Sequence, residues 1–190
     1  MAENRKVVTT NYYSDGGLSD IGRGQGDNVE EKIEKPVSWF SHKNKYFLTA
    51  FITKNAGLSN VTLKSLVDAT DTTYIKTMQS EGTISTADLK AGKGNFQLFF
   101  GPNDYQIVKD VKAAPDFGDN VDLGYAILKP LNKFFFVPMF SFLEKFFSNY
   151  GVLIIVLVLI VKLLMTPLVY KSYVSMAKMR MLAPELAVIK

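Results

Sequence analysis

The run GVLIIVLVLIVKLLMTPLVY at residues 151–170 constrains the chain more than any other stretch. Residues 152–161 are apolar without a break, Lys162 follows, and residues 163–170 are apolar apart from Thr166, Pro167 and the Tyr170 hydroxyl. Twenty helical residues at about 1.5 Å each cover about 30 Å, the hydrocarbon thickness of a bilayer. A lysine near the middle costs roughly 2.5–3.5 kcal/mol. The fourteen Val, Ile and Leu residues between 152 and 169 return roughly 4–8 kcal/mol at most. The span wins. A membrane-crossing helix is expected over 150–172, with one positive charge inside it.

Charge supplies a direction. Residues 1–149 carry 17 basic and 17 acidic side chains, so the net +4 lies wholly in residues 150–190, where Lys162, Lys171, Lys178, Arg180 and Lys190 face Glu185 alone. A basic flank such as Lys171, Lys178 and Arg180 directly after a span predicts that this end is cytoplasmic and the N-terminal part lies outside. The basic cluster is short and adjoins a bilayer, so direct nucleic-acid binding is not expected. With no cysteine there is no disulfide, thiolate metal site or cysteine nucleophile. The one histidine, His42, sits in the polar run SHKNK and reads as an exposed surface residue. No apolar segment opens the chain, so no signal peptide is visible. No triad or carboxylate pair stands out. The chain is expected to be no enzyme and to need no cofactor or metal.

Residues 1–35 are polar and glycine-rich and read as a loop region. GRGQG at 22–26 superficially suggests a phosphate cradle, but no strand precedes it and no Lys-Ser/Thr or helix start follows. From 36 to about 112 the pattern turns to β. Trp39-Phe40 and residues 45–53, 61–67, 73–78, 95–100 and 105–108 are aromatic, β-branched or alternating. Turn signals separate them at NAG (55–57), KAGKG (90–94) and GPND (101–104). Short strands punctuated this way predict part of an antiparallel β-sandwich over 36–124, ending in the polar linker 113–124.

Residues 126–149 have helical spacing, with apolar positions at 127, 128, 131, 134, 135, 138, 139, 142, 143, 146 and 147. A core helix of the β domain would show such a face. Its place directly before a span, its phenylalanines (Phe134, Phe135, Phe142 and Phe146 among them) and its Lys129 and Lys133 favour an amphipathic helix lying in the outer membrane interface, over 125–149. Pro130 suits a first turn and Pro138 should kink the helix. Asn149-Tyr150-Gly151 offers the corner into the span.

Within the span Lys162 shares one helical stripe with Thr166, Val169, Tyr170 and Tyr173. Two readings compete. Lys162 either snorkels toward the cytoplasmic headgroups or faces a water-filled cavity shared with other helices. Its depth favours the second. Pro167 removes a backbone bond and should kink the helix toward its cytoplasmic end. Residues 173–190 begin a cytoplasmic helical region, with Met176, Met179 and Met181 as adaptable apolar contacts. Pro184-Glu185 resembles the start of a further helix.

At this point the sequence resembles the YidC/Oxa/Alb family of membrane protein insertases, in its Gram-negative bacterial form. SMAKMRMLAP at 175–184 resembles the signature after the first helix of the family's five-helix core. IVKLLMTPL at 160–168 resembles the end of that helix, while KYFLTAF at 45–51 and FFGP at 99–102 resemble the periplasmic domain. The resemblance runs from about 36 to 190 and is strongest after 124.

It implies a β and α membrane protein fragment: the C-terminal part of a periplasmic β-supersandwich, a surface helix at 125–149, and one transmembrane helix continuing into the cytoplasm. It implies a non-enzymatic insertase and chaperone of the bacterial inner membrane. Its partners would be nascent membrane proteins, the lipid bilayer, the Sec translocon and the ribosome. Lys162 stands where most members carry an arginine, the positive charge of a hydrophilic groove that attracts the acidic, polar end of an incoming protein. Thr166, Tyr170 and Tyr173 would share that groove. Lysine keeps the charge but loses arginine's bidentate fork, and it can lose its proton when dehydrated. A signal anchor, the first part of the β domain and the later core helices are missing from the resemblance. One helix encloses no groove, so this fragment alone is expected not to insert proteins. The competing class is a single-pass envelope protein whose β domain binds a ligand, such as a glycan, with the span as a plain anchor.

Overall fold

A computed structural model describes residues 2–23, 28–68, 70, 71, 73–125 and 127–188. It contains two compact units, Met1–Asp122 and Leu123–Lys190.

The first unit opens with α1 (Ala2–Val7) and continues through β1 (Thr9–Ser14), β2 (Gly17–Ile21), β3 (Val29–Ile33), β4 (Val37–Lys43), β5 (Phe47–Thr53), β6 (Ser59–Leu66) and β7 (Thr77–Thr83). After the short α2 (Thr86–Lys90) come β8 (Phe96–Pro102), α3 (Tyr105–Val108) and a 3-10 turn, Phe117–Asn120. All pairings are antiparallel. One sheet runs β2-β1-β4-β5-β8 and the other β3-β6-β7. The antiparallel β fold expected from the sequence is present.

Strict alternation along β4 explains the layering. Val37, Trp39, Ser41 and Lys43 are buried, while Phe40 and His42 between them are half-buried on the opposite face. On the Phe40 side the second sheet closes over the first. Ile21, Ile33, Leu58, Val61 and Leu63 form this core, with Phe40 and Phe51 packed against it. On the Trp39 side, Trp39, Leu48, Ala50 and Ile52 meet Val108, Ala114 and Phe117 from the segment after β8. The Trp39 ring abuts Phe117 edge-on at 5.0 Å, and its Nε1–H donates to the Pro115 carbonyl at 2.8 Å. Each such fully buried large side chain contributes roughly 1.5–3 kcal/mol.

Three parts of the sequence reading are corrected here. Residues 1–35, read as loop, hold β1, β2 and β3; residues 24–27 of the glycine-rich stretch lie outside the described residues. Asp15 and Gly16, with φ of 54° and 77°, form a two-residue connection that pairs Ser14 with Gly17, the geometry that Asp-Gly favours. Residues 73–78, read as a strand, enter β7 only at Thr77, where pairing with Leu66 begins. Residues 105–108, also read as a strand, are helical, because the Asp104 carboxylate caps the turn by accepting the Gln106 N–H at 2.7 Å.

At the outer edge of the larger sheet, the Lys54 N–H donates to Asn95 and the Asn103 N–H to Tyr46. Through the register between them, the N–H and C=O groups of Phe96, Leu98 and Phe100 turn away from β5, toward an edge with no strand beside it among the described residues.

In the second unit, α4 (Leu128–Leu131), a π-helical turn (Asn132–Phe136) and α5 (Val137–Glu144) follow one another directly, and α6 runs Tyr150–Val188. The π turn ends two residues before Pro138, which lies in the first turn of α5. A proline that cannot donate is accommodated there by a register change in the helix. Pro184 does not start a new helix as expected. It lies inside α6, which runs through this position to Val188.

Candidate functional site: a polar stripe on the apolar helix

Among the described residues one helix is long and apolar enough to cross a membrane, over Tyr150–Arg180. Its start is prepared by Asn149, whose Oδ1 accepts the Gly151 N–H at 2.9 Å and whose carbonyl accepts the Leu153 N–H at 3.0 Å. The Phe140 ring stacks on Tyr150 at 6.3 Å, joining the end of α5 to the start of α6. Upstream, the Asn132 amide donates to the Leu123 carbonyl at 2.7 Å and fixes the entry to α4.

The predicted stripe is a physical feature of α6. Lys162, Thr166, Tyr170 and Tyr173 line one shallow concavity of about 550 Å³, together with Val161, Met165 and Val169. Spacings of three, four and seven place these side chains on one face. The Thr166 hydroxyl donates to the Lys162 carbonyl at 2.8 Å, one residue before Pro167. Helical structure continues through Pro167 without a break. Among the described residues Lys162 makes no ion pair. It lies within the apolar stretch of α6 that precedes Lys171.

Before the span, Phe134, Phe142 and Phe146 are exposed and Phe135 is half-buried with its ring edge-on to Phe136. Phe142 and Phe146 lie 5.0 Å apart, one turn from each other in sequence. Lys129 and Lys133 are half-buried nearby in sequence. Lys171 and Lys178 lie beyond the apolar run on α6, with Arg180 two residues further.

Sequence reading missed a polar cluster inside the first unit. Lys43 is 4% exposed and donates its ammonium to the Asn120 carbonyl, and burial draws its pKa down to about 8. The Asn120 side chain accepts from the Asn11 amide at 2.7 Å and exchanges bonds with the Ser41 hydroxyl. His42, read as exposed, is half-buried on the face toward the second sheet. Nδ1 bonds the Thr10 hydroxyl at 2.8 Å and Nε2 the Ser80 hydroxyl at 3.1 Å, and desolvation lowers its pKa. The alternation Trp39-Phe40-Ser41-His42-Lys43 carried the signal for both residues, since it puts each on a covered face.

Comparison with known proteins connects both units. The family description "YidC periplasmic domain" matches residues 4–138, and "60Kd inner membrane protein" matches residues 142–190. A protein from Amoebophilus asiaticus called "Membrane protein insertase YidC" is 35% identical over 98% of this chain and 31% of its own length. Proteins of the same description from Porphyromonas gingivalis and Geotalea daltonii are 33% and 29% identical, over 93% and 91% of this chain. The chain spans 29% and 30% of those two relatives, so under a third of each relative is matched. With a β unit matching the periplasmic domain and an apolar helix matching the inner-membrane part, the chain belongs to the YidC family of membrane protein insertases.

Proposed function

We propose that this chain is the portion of an insertase that carries the groove charge and the domain preceding it, and that Lys162 is that charge. The observation supporting the reading is one cation, without an ion-pair partner among the described residues, on a concave stripe with Thr166, Tyr170 and Tyr173 in the apolar part of α6. Such a charge costs roughly 2.5–3.5 kcal/mol at mid-depth and is retained where it does work on a substrate. It attracts the acidic, polar end of a nascent membrane protein, while the client's apolar segment passes into lipid. Further helices, from the length that the relatives have and this chain does not span, close the groove around the stripe. Pro167 bends the helix beyond it. The chain acts without catalysing a covalent reaction.

In this reading the first unit faces the periplasm and the basic end of α6 the cytoplasm; the flank of Lys171, Lys178 and Arg180 supports this orientation. Phe134, Phe135, Phe142 and Phe146, with Lys129 and Lys133, hold the 125–149 segment in the outer interface. Sec translocon and ribosome are the partners that deliver clients. Family membership disfavours the glycan-binding anchor.

The test uses the longer parent polypeptide. Lys162→Arg is expected to retain insertion of a client with an acidic N-terminal tail, and Lys162→Ala to impair it, read by protease protection in inverted vesicles. Equal insertion by the alanine variant would refute the electrostatic role.

A further inference from the structure

Adjoining the groove stripe, and sharing Tyr170 with it, lies a second concavity of about 250 Å³, whose two lysines the insertase reading uses only as part of the basic flank. It is lined by Tyr170, Lys171, Val174, Ser175 and Lys178. Spacings of three, four and seven from Lys171 put Val174, Ser175 and Lys178 on one face, with a hydroxyl between two ammonium groups. Among the described residues neither lysine has an ion-pair partner.

Depth decides what the concavity meets. The apolar run of residues 152–169 spans about 27 Å, nearly the hydrocarbon thickness of about 30 Å. Lys171 therefore stands at the hydrocarbon boundary, Ser175 about 6 Å beyond it and Lys178 about 10.5 Å beyond it. The polar interface on each side is about 5–8 Å deep. Helical side chains lean toward the helix N-terminus, so Lys178 reaches back over Ser175 and toward the bilayer. Lys171 directs its ammonium to the same level by snorkelling. Both cations and the serine hydroxyl thus converge on the plane of the lipid phosphates. Val174 and Tyr170 supply the apolar floor on the acyl side.

We propose that Lys171, Ser175 and Lys178 form a binding site for the phosphodiester of an anionic phospholipid. The site rests on α6 crossing a bilayer and is independent of Lys162 and of insertion. The lipid phosphate receives hydrogen bonds from both ammonium groups and from the Ser175 hydroxyl, while its acyl chains lie along Tyr170 and Val174. Each lysine near an anionic surface is worth about fivefold in affinity. The pair then separates anionic from zwitterionic lipid by roughly 25-fold.

The experiment reconstitutes the full chain into phosphatidylcholine vesicles with and without phosphatidylglycerol. The chain is then extracted in mild detergent, and the retained lipid is identified by native mass spectrometry. The wild type is expected to retain phosphatidylglycerol selectively. Lys171→Gln with Lys178→Gln should lose that selectivity, and Ser175→Ala should weaken it. Lys178→Gln combined with Met176→Lys preserves net charge but moves it to another face, and should behave like Lys178→Gln alone. Restoration of selectivity by the relocated lysine would reduce the effect to diffuse charge and overturn the site. So would unchanged retention in the double glutamine variant. Displacement of the lipid by inorganic phosphate alone would assign the site to free phosphate and overturn the lipid assignment. Helical circular dichroism and Trp39 emission report whether each variant is folded. Insertion by the longer parent, measured separately, keeps failure of this site distinct from failure of the Lys162 role.

Discussion

Thr166 donates its hydroxyl to the carbonyl of Lys162 at 2.8 Å, immediately before the residue that deprives the next carbonyl of a donor. The Leu163 carbonyl loses its helical N–H to Pro167, whereas that of Lys162 gains a hydroxyl. Back-bonding of this kind bends helices slightly. Thr166→Val keeps the side-chain shape and removes the bond. Its expected cost to helix stability is under about 1 kcal/mol, measured by denaturing-detergent titration of the reconstituted chain. In the longer parent it should lower client insertion by less than Lys162→Ala does.

Asn120 is completely buried and ties β1, β4 and the 3-10 turn together through Asn11, Ser41 and Lys43. Asn120→Ala leaves the Asn11 amide without its acceptor and costs about 2–3 kcal/mol. Trp39, the only tryptophan in the chain, is fully buried in the same unit. Its emission during urea unfolding reads the loss as a lower midpoint.

Lys43 gives that unit an alkaline signature. Its pKa falls from 10.5 to about 8 on folding, by burial first and by Arg23 second. Between these values the unfolded chain holds a proton that the folded chain has released, so stability rises as pH climbs from 8 toward 10.5. The gain is of order 3 kcal/mol at most. Tyr12, pushed up to about 12 by burial and then by Glu31, acts in the opposite sense above pH 10. Lys43→Met should abolish the rise between pH 8 and 10, followed by the Trp39 unfolding midpoint against pH.

His42 supplies an acid signature. It joins Thr10 of one sheet to Ser80 of the other, and desolvation lowers its pKa below 6.5. The unfolded chain therefore takes up the proton first, and stability is lost as pH falls through about 6.5 and below. His42→Gln should flatten the His42 contribution to that loss. An unchanged acid slope in this variant would show that the histidine does not carry it.

How much of this was legible follows from what each signal depends on. The span and its stripe were readable because helical spacing is local: Lys162, Thr166, Tyr170 and Tyr173 share a face whatever surrounds them. Residues 45–53 and 95–100 were readable from β-branched and aromatic content. Tyr105-Gln-Ile-Val misled because its β-propensity yields to the single cap at Asp104. Residues 1–35 misled because polar strands such as VEEKI need their partner β6 before they read as strands, although Asp15-Gly16 was a visible hairpin signal. The Lys43 and Asn120 pairing joins positions 77 residues apart. No local pattern encodes it.

Among the described residues β8 has no strand on its outer edge, which makes the first unit a template for polymerisation. Phe96, Leu98 and Phe100 combine outward backbone groups with apolar side chains that are 56%, 52% and 71% exposed. Exposed strands of this kind recruit further strands into cross-β stacks. Pro102, unable to donate, limits growth at one end only. A bare chain kept concentrated should therefore gel or fibrillise through this edge, and a single lysine in place of Leu98 should act as a gatekeeper.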